Sequence, residues 1–309
     1  MKKRVLLILM ITAFLITLSG CQHVDALAQA AANGDIIDHG TANLISLSAR
    51  AFSSAAENVT EEQEYYIGRA VAANILTSYK LWEEDPKLVE YLNYICAAIV
   101  LNSPRPGLYN GYHVAILDSN EINAFATSGG HIFLTRGLIN VTRTEDSLAG
   151  VIAHEIAHIQ LRHGIRAIKT SRITQALLMT ATAGIGNITG MDTDELRDIL
   201  NESVGEIFQT MVNSGYSKEH EYEADIAAMY LLASAGYHPD ALIDMLIALQ
   251  TVRSAGSGLS KTHPAPRQRI YFAEKALGRF NVADNRLERQ DRFNEALKLG
   301  VALQQAAPR

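Results

Sequence analysis

Apolar positions fall at helical spacing from about Glu61, where Tyr65, Ile67, Val71, Ile75, Leu76 and Tyr79 recur at helical intervals, and this predicts a helix running to Trp82. A second helix is predicted from Asp85-Pro86 to about Leu101, because proline at the first helical position has the right φ and lacks an N–H that would be unpaired there anyway. Ser103-Pro104-Arg105-Pro106-Gly107 ends that pattern. His113 to Leu117 and Ile132 to Thr135 then read as short strands around a Gly129-Gly130 turn. From Thr144 onward nearly every segment returns to helical spacing, including a helix that opens near Ser217 and closes at Gly236 with Pro239 just beyond. A last helix, from about Arg286 to Gln305, is expected to pack on the domain. The pattern as a whole predicts an α+β fold, mostly α, with a small sheet beside a helical body. The main domain is expected over 59–285, followed by the C-terminal helix in 286–309.

The amino-terminal region follows a different pattern. Lys2, Lys3 and Arg4 precede an uncharged apolar stretch from Val5 to Leu18, which at about 14 residues is shorter than the roughly 20 that cross a bilayer as a helix. Leu18-Ser19-Gly20-Cys21 follows and resembles the lipobox of bacterial lipoproteins, so residues 1–20 read as a lipoprotein signal peptide and Cys21 as the site of lipidation. Several acyl chains on one cysteine give stable attachment where a single chain is marginal. Gln22, rather than Asp, after the cysteine resembles lipoproteins sorted to the outer membrane, which implies a lipid-anchored envelope protein facing the periplasm. Residues 21–58, rich in Ala, Ser, Asn and Asp with weak periodicity, read as a tether.

Charge and cysteine content narrow the function. The formal net charge is −6, and the three basic residues of the leader make the remainder more acidic still, so nucleic acid is not an expected partner. With Cys21 assigned to lipid, Cys96 has no partner for an internal disulfide, and its apolar surroundings predict a buried, inert thiol. The nearly uncharged segment 173–188 reads as a buried helix, or as one that touches a membrane surface or a hydrophobic substrate.

The chemistry concentrates at His154-Glu155-Ile156-Ala157-His158. Two histidines four apart project from one helix face, so both rings reach a single Zn²⁺ at about 2.0–2.1 Å. Glu155 is then placed beside the metal, where it can hold and deprotonate a bound water. Flanking Val151, Ile152, Ile156 and Ile159 would bury Glu155 at a cost unless something paired it. A catalytic zinc needs a third protein ligand. His163 lies about 140° around the helix from His158 and reads as structural. Glu221 is the better candidate, with Asp225 one turn later on the same face to accept the outer N–H of a zinc histidine, His154.

Four segments now resemble the HtpX-like and CAAX-prenyl-protease-like zinc metallopeptidases of the gluzincin type. They are Asn123 to Ala126 with Gly129 to Phe133 and Arg136-Gly137-Leu138; the H-E-x-x-H segment; Tyr216-Ser217 through Glu221 to Asp225; and Thr262-His263-Pro264 with Arg269-Ile270. The resemblance implies a zincin-like metallopeptidase domain with one Zn²⁺ per chain, held by His154, His158 and Glu221, with Glu155 catalytic. It implies that Gly129, Gly130, His131 and Ile132 open an edge strand on which an extended substrate lies, although the two glycines alone fit a plain hairpin turn equally well. It further implies that His263 can occupy the zinc's fourth position, and Arg269 is assigned to a developing oxyanion or substrate carbonyl. The expected activity is hydrolysis of unfolded or misassembled envelope polypeptides. The rival readings are a zinc-stabilised chaperone or binding lipoprotein without proteolysis, and a hydrolase of non-peptide amides.

Overall fold

Thr60 starts the first helix through a capping box: its hydroxyl accepts from the Gln63 N–H at 3.2 Å, while the Gln63 side chain accepts from the Thr60 N–H at 2.9 Å. The computed structural model describes residues 59–167, 201–202, 204–252, 263, 266–278, 280 and 286–299. Cys21, the leader, the tether and the apolar segment 173–188 lie outside these residues. Helix α1 (Glu61–Ser78) buries Ile67, Val71 and Ile75 on one face. It ends four residues before Trp82, because Tyr79 is extended and the following residues pair with the sheet: Trp82 N–H donates to the Ile116 carbonyl at 2.8 Å and Asp118 N–H to the Lys80 carbonyl at 2.8 Å. Helix α2 (Pro86–Leu101) begins where expected, with the Asp85 carboxylate accepting from the N–H groups of Lys87 and Leu88.

The sheet differs from its expected form. It has three strands, β1 (His113–Leu117), β2 (Ala124–Thr127) and β3 (His131–Thr135), in the order β1-β3-β2. β1 runs parallel to β3, and the hairpin is β2–β3. The expectation that Gly129, Gly130, His131 and Ile132 open the substrate edge is therefore corrected: β3 is the central strand, and its main chain is paired on both sides. The two glycines serve the protein's own packing. Both have positive φ, and a Cβ would sit 2.5 Å from Tyr65 Cα at Gly129 and 2.0 Å from the Gly111 carbonyl oxygen at Gly130. The outer edge of β1 is covered by residues 80–82 and by Asn93, whose amide accepts from the Val114 N–H and donates to the Val114 carbonyl. Among the described residues no strand pairs with the outer edge of β2.

Helix α3 (Arg136–Val141) leads into α4 (Glu145–Gln160), capped by Thr144. Every residue of α4 from Glu145 to Ile159 is buried, so this helix is the axis of the domain and not an amphipathic surface helix. Burying the acidic first turn requires counter-charges. Arg289 meets Asp146 with two bonds of 2.6 and 2.8 Å, and Arg292 meets Glu145 at 2.6 Å. Both arginines come from α9 (Arg286–Leu299), which packs its Phe293 into the same core. Between α4 and α9 come the short α5 (His163–Arg166), a π-helical turn (Thr210–Ser214), α6 (Lys218–Ser234), α7 (Ala241–Val252) and α8 (Pro266–Leu277). The sheet lies between two apolar layers. Val114, Ile116, Ala124, Ala126, Ile132 and Leu134 join the α4 core, and Leu117, Phe125 and Phe133 join α1 and the 204–211 segment. The chain thus has the expected mostly helical fold with a small mixed sheet beside the H-E-x-x-H helix. Among the described residues no helix is long and apolar enough to cross a membrane.

Candidate metal centre and active site

Two helices meet at the centre. On α4, His154 and His158 are one turn apart, and their Nε2 atoms stand 3.1 Å from each other. Opposite them α6 presents Glu221, with Oε2 3.6 Å from His154 Nε2 and Oε1 3.5 Å from His158 Nε2. Ser217 sets the phase of α6 by capping it, with its hydroxyl accepting from the His220 N–H. His263 adds a fourth group, its Nδ1 2.8 Å from Glu221 Oε2. All four ligand atoms lie within 4.8 Å of one another, and all four residues are buried.

This arrangement fits a divalent cation. Bonds of about 2.0–2.1 Å to a tetrahedral ion place neighbouring ligand atoms about 3.3 Å apart, close to the spacings found here. Two imidazole nitrogens facing each other at 3.1 Å also need a proton or a cation between them. Glu221 Oε1 is buried without a hydrogen bond among the described residues, which points the same way. Burial opposes the charge on Glu221, but the neighbouring His263 and Arg269 outweigh it and hold its pKa well below the ordinary carboxylate range. An ionised carboxylate is the form a metal ligand requires.

The two histidines have different supports. His154 Nδ1 lies 3.1 Å from Asp225 Oδ1, and Asp225 is gripped by Arg269 through bonds of 2.6 and 2.7 Å. Burial and the Arg269 charge both oppose protonation of His154, yet its hydrogen bonds to Asp225 and Glu221 prevail and hold its pKa up to about 9. His158 Nδ1 instead meets His163 Nδ1 at 2.8 Å, His163 Nε2 meets Glu223 Oε2 at 3.1 Å, and Arg166 donates to that carboxylate oxygen at 2.8 Å. Here burial dominates and pushes His158 down to about 3. Tyr216, directly before the Ser217 cap, stacks on the His158 ring at 4.5 Å and fixes its plane.

The structure brings His154, His158, Glu221, Asp225 and His263 together. His163 reaches His158 through a break in the helix that the spacing does not predict. Arg162 adopts a left-handed conformation (φ 57°), which ends α4 and starts a new short helix at His163. Arg269 is also placed differently from expectation. Its three nitrogens each meet a carboxylate oxygen, Nη1 lying 3.1 Å from Glu221 Oε2, because two buried carboxylates need a counter-charge. Glu155 lines a recess with His154, His263 and Arg269, and burial raises its pKa above the usual carboxylate value.

The profile of Peptidase family M48 matches residues 86–277, the span that holds the sheet, α4, α6 and α8. The chain belongs to that family. The beta-barrel assembly-enhancing protease of Escherichia coli K12 is 26% identical over 280 residues, which cover 82% of this chain and 56% of that protein. The chain thus spans little more than half the length of that relative. Metalloprotease LoiP of the same organism is 27% identical over 273 residues, 87% of this chain and 94% of LoiP. The mitochondrial metalloendopeptidase OMA1 of Schizosaccharomyces pombe is 27% identical over 162 residues, 50% of this chain and 43% of that protein.

Proposed function

We propose that this chain is a zinc-dependent endopeptidase of a bacterial cell envelope. The observation that carries the proposal is the convergence of His154, His158 and Glu221 from two helices, with Glu155 on the adjoining recess. A zinc ion held by these three residues would supply Lewis acidity toward a peptide carbonyl and make water a stronger acid. Glu155 takes a proton from the attacking water as the C–O bond forms, and returns it to the leaving amine as the C–N bond breaks. Burial raises its pKa, which makes it a stronger base toward the water than an exposed carboxylate. Asp225 and Arg269 orient His154 and Glu221, while His163, Glu223 and Tyr216 orient His158.

β2 takes the place first assigned to β3. Antiparallel alternation from the Asn123–Thr135 pair turns the Ala124 and Ala126 carbonyls to the outer edge of β2, where an extended polypeptide can add as a further strand. His263 lies within the ligand cluster, where its ring would compete with the attacking water for a bound metal, so the centre would be latent until His263 moves. The lipid on Cys21 keeps the enzyme on a membrane, the outer one facing the periplasm, where its substrates are unfolded or misassembled envelope proteins.

The test is casein cleavage by the full chain with and without chelator. The parent is expected to cleave in a chelator-sensitive manner, Glu155→Gln to retain zinc and lose at least about a thousandfold in rate, and His263→Ala to gain activity. Cleavage that survives Glu155→Gln contradicts the mechanism, and unchanged or lost activity in His263→Ala removes latency from it.

A further inference from the structure

Among the described residues Arg162 is the one non-glycine residue with a positive φ (57°), and it stands directly before His163. A Cβ disfavours this conformation, so it persists only where neighbours hold it. The neighbours belong to α1. Glu64 Oε2 lies 3.0 Å from Arg162 Nε, and Arg162 Nη2 donates to the Val59 carbonyl at 2.6 Å, so the guanidinium is gripped by the start of α1. Glu64 is only 1% exposed, and a buried carboxylate has to be met by cations. Arg105 supplies the second one: its Nη2 lies 3.6 Å from the same Oε2, while its Nη1 donates to the Gln160 carbonyl at the end of α4 at 3.3 Å. A separate contact brings α1 to the same turn. A Cβ at Gly68 would overlap the Ser128 carbonyl oxygen, and one at Gly164 would lie 2.8 Å from Ser128 Oγ, so Ser128 is wedged between α1 and the residue after His163.

We infer that Glu64 and Arg162 are positioning residues of the metal centre: the ion pair from α1 holds the left-handed turn, and the turn holds His163 Nδ1 2.8 Å from His158 Nδ1. The inference rests on the metal centre proposed above. Neither residue belongs to the ligand cluster, and both act through His163. Without the pair Arg162 relaxes toward negative φ, the His163 ring leaves His158, and His158 loses the partner that fixes its tautomer.

The experiment uses the full chain, freed of zinc and then titrated with zinc against a chromophoric chelator, with backbone amide exchange read on the zinc-free protein. Glu64→Gln keeps the shape of the side chain and removes its charge. It is expected to weaken zinc binding by roughly tenfold, whereas in the His163→Asn background the same change is expected to have no further effect beyond about twofold. In the zinc-free protein, Glu64→Gln is expected to speed exchange by at least about tenfold at Arg166 and Ala167, whose N–H groups donate to the Arg162 and His163 carbonyls. Amides within α4 stay as protected as in the parent. Glycine adopts positive φ without the Cβ penalty, so Arg162→Gly is expected to bind zinc at least about threefold tighter than Arg162→Ala. The inference is overturned by parent-like zinc affinity or exchange in Glu64→Gln, by a Glu64→Gln effect undiminished in His163→Asn, or by equal affinities of Arg162→Gly and Arg162→Ala. If Glu64→Gln does not fold, the two Arg162 variants decide it. A parent that binds no zinc overturns the metal centre, and the exchange comparison still decides whether α1 holds the turn.

Discussion

His154 and His158 belong to one motif on one helix, yet each is supported by a different kind of chemistry. Behind His154 stands an anion, Asp225, locked by the buried Arg269 fork. Behind His158 stands another imidazole, His163, with the carboxylate of Glu223 one ring further out. Burial opposes a charge on both rings; hydrogen bonds to Asp225 and Glu221 override it at His154, whose pKa rises to about 9, while burial prevails at His158, whose pKa falls to about 3. Helix geometry therefore delivers both rings to one place, while the surroundings of each set its proton affinity. In the His158 chain, a lone pair kept on Nε2 for a cation puts the proton on Nδ1, which donates to His163 Nδ1, and His163 Nε2–H donates to Glu223.

The largest effect is expected at the charged support. Arg269→Met leaves Asp225 and Glu221 buried without their counter-charge, a loss of about 3–5 kcal/mol of stability that urea denaturation of the zinc-free protein would measure. A loss below about 1 kcal/mol would mean that the two carboxylates are not charged together. Next come the partners of the two rings. Removing a group that orients a metal ligand lowers metal affinity by about 10- to 100-fold. Asp225→Asn is expected near the upper end and His163→Asn near the lower, as read by competition with a chromophoric chelator. The reverse order would break the proposed contrast between an anionic and a neutral support.

The pH dependence of zinc uptake sharpens the same contrast. With its pKa raised to about 9, His154 is protonated in the zinc-free protein at neutral pH, whereas His158, lowered to about 3, is already neutral. Zinc binds the neutral ring and must displace the His154 proton, so affinity falls as pH falls below about 9, by about tenfold per unit for one proton. Calorimetry in buffers of different ionisation enthalpy is expected to count about one proton released from His154 at neutral pH, and fewer in Asp225→Asn. Equal release by parent and variant would contradict the role given to Asp225.

Much of this centre was legible in the sequence because its decisive relations are local. His154 and His158 are four residues apart on a helix, and so are Glu221 and Asp225. Thr144, Asp85-Pro86 and Ser217 mark helix starts by side chains that accept the first free N–H groups. The sheet was harder to read because pairing is a long-range property. β2 is four residues, Ala-Phe-Ala-Thr, buried on both faces, so it carries no alternation of polar and apolar positions. Without it β3 reads as an edge. Trp82 fitted a helical period although its backbone belongs to the sheet margin. His163 lies outside the ligand cluster, as its structural reading expects, but its contact with His158 was hidden because an ideal helix does not continue through the left-handed Arg162. Arg269 carries the general lesson that a lone arginine in a sequence does not reveal which buried carboxylates will claim it.

In the proposed centre Glu221 from α6 joins the two histidines of α4 around one cation. Zinc content of the full chain after equilibration with buffered zinc, set against the Glu221→Ala variant, tests it most directly. One tightly held zinc per parent chain is expected, with at least about a hundredfold weaker binding in the variant. A parent that binds no zinc, or a variant that binds it as tightly, would contradict it.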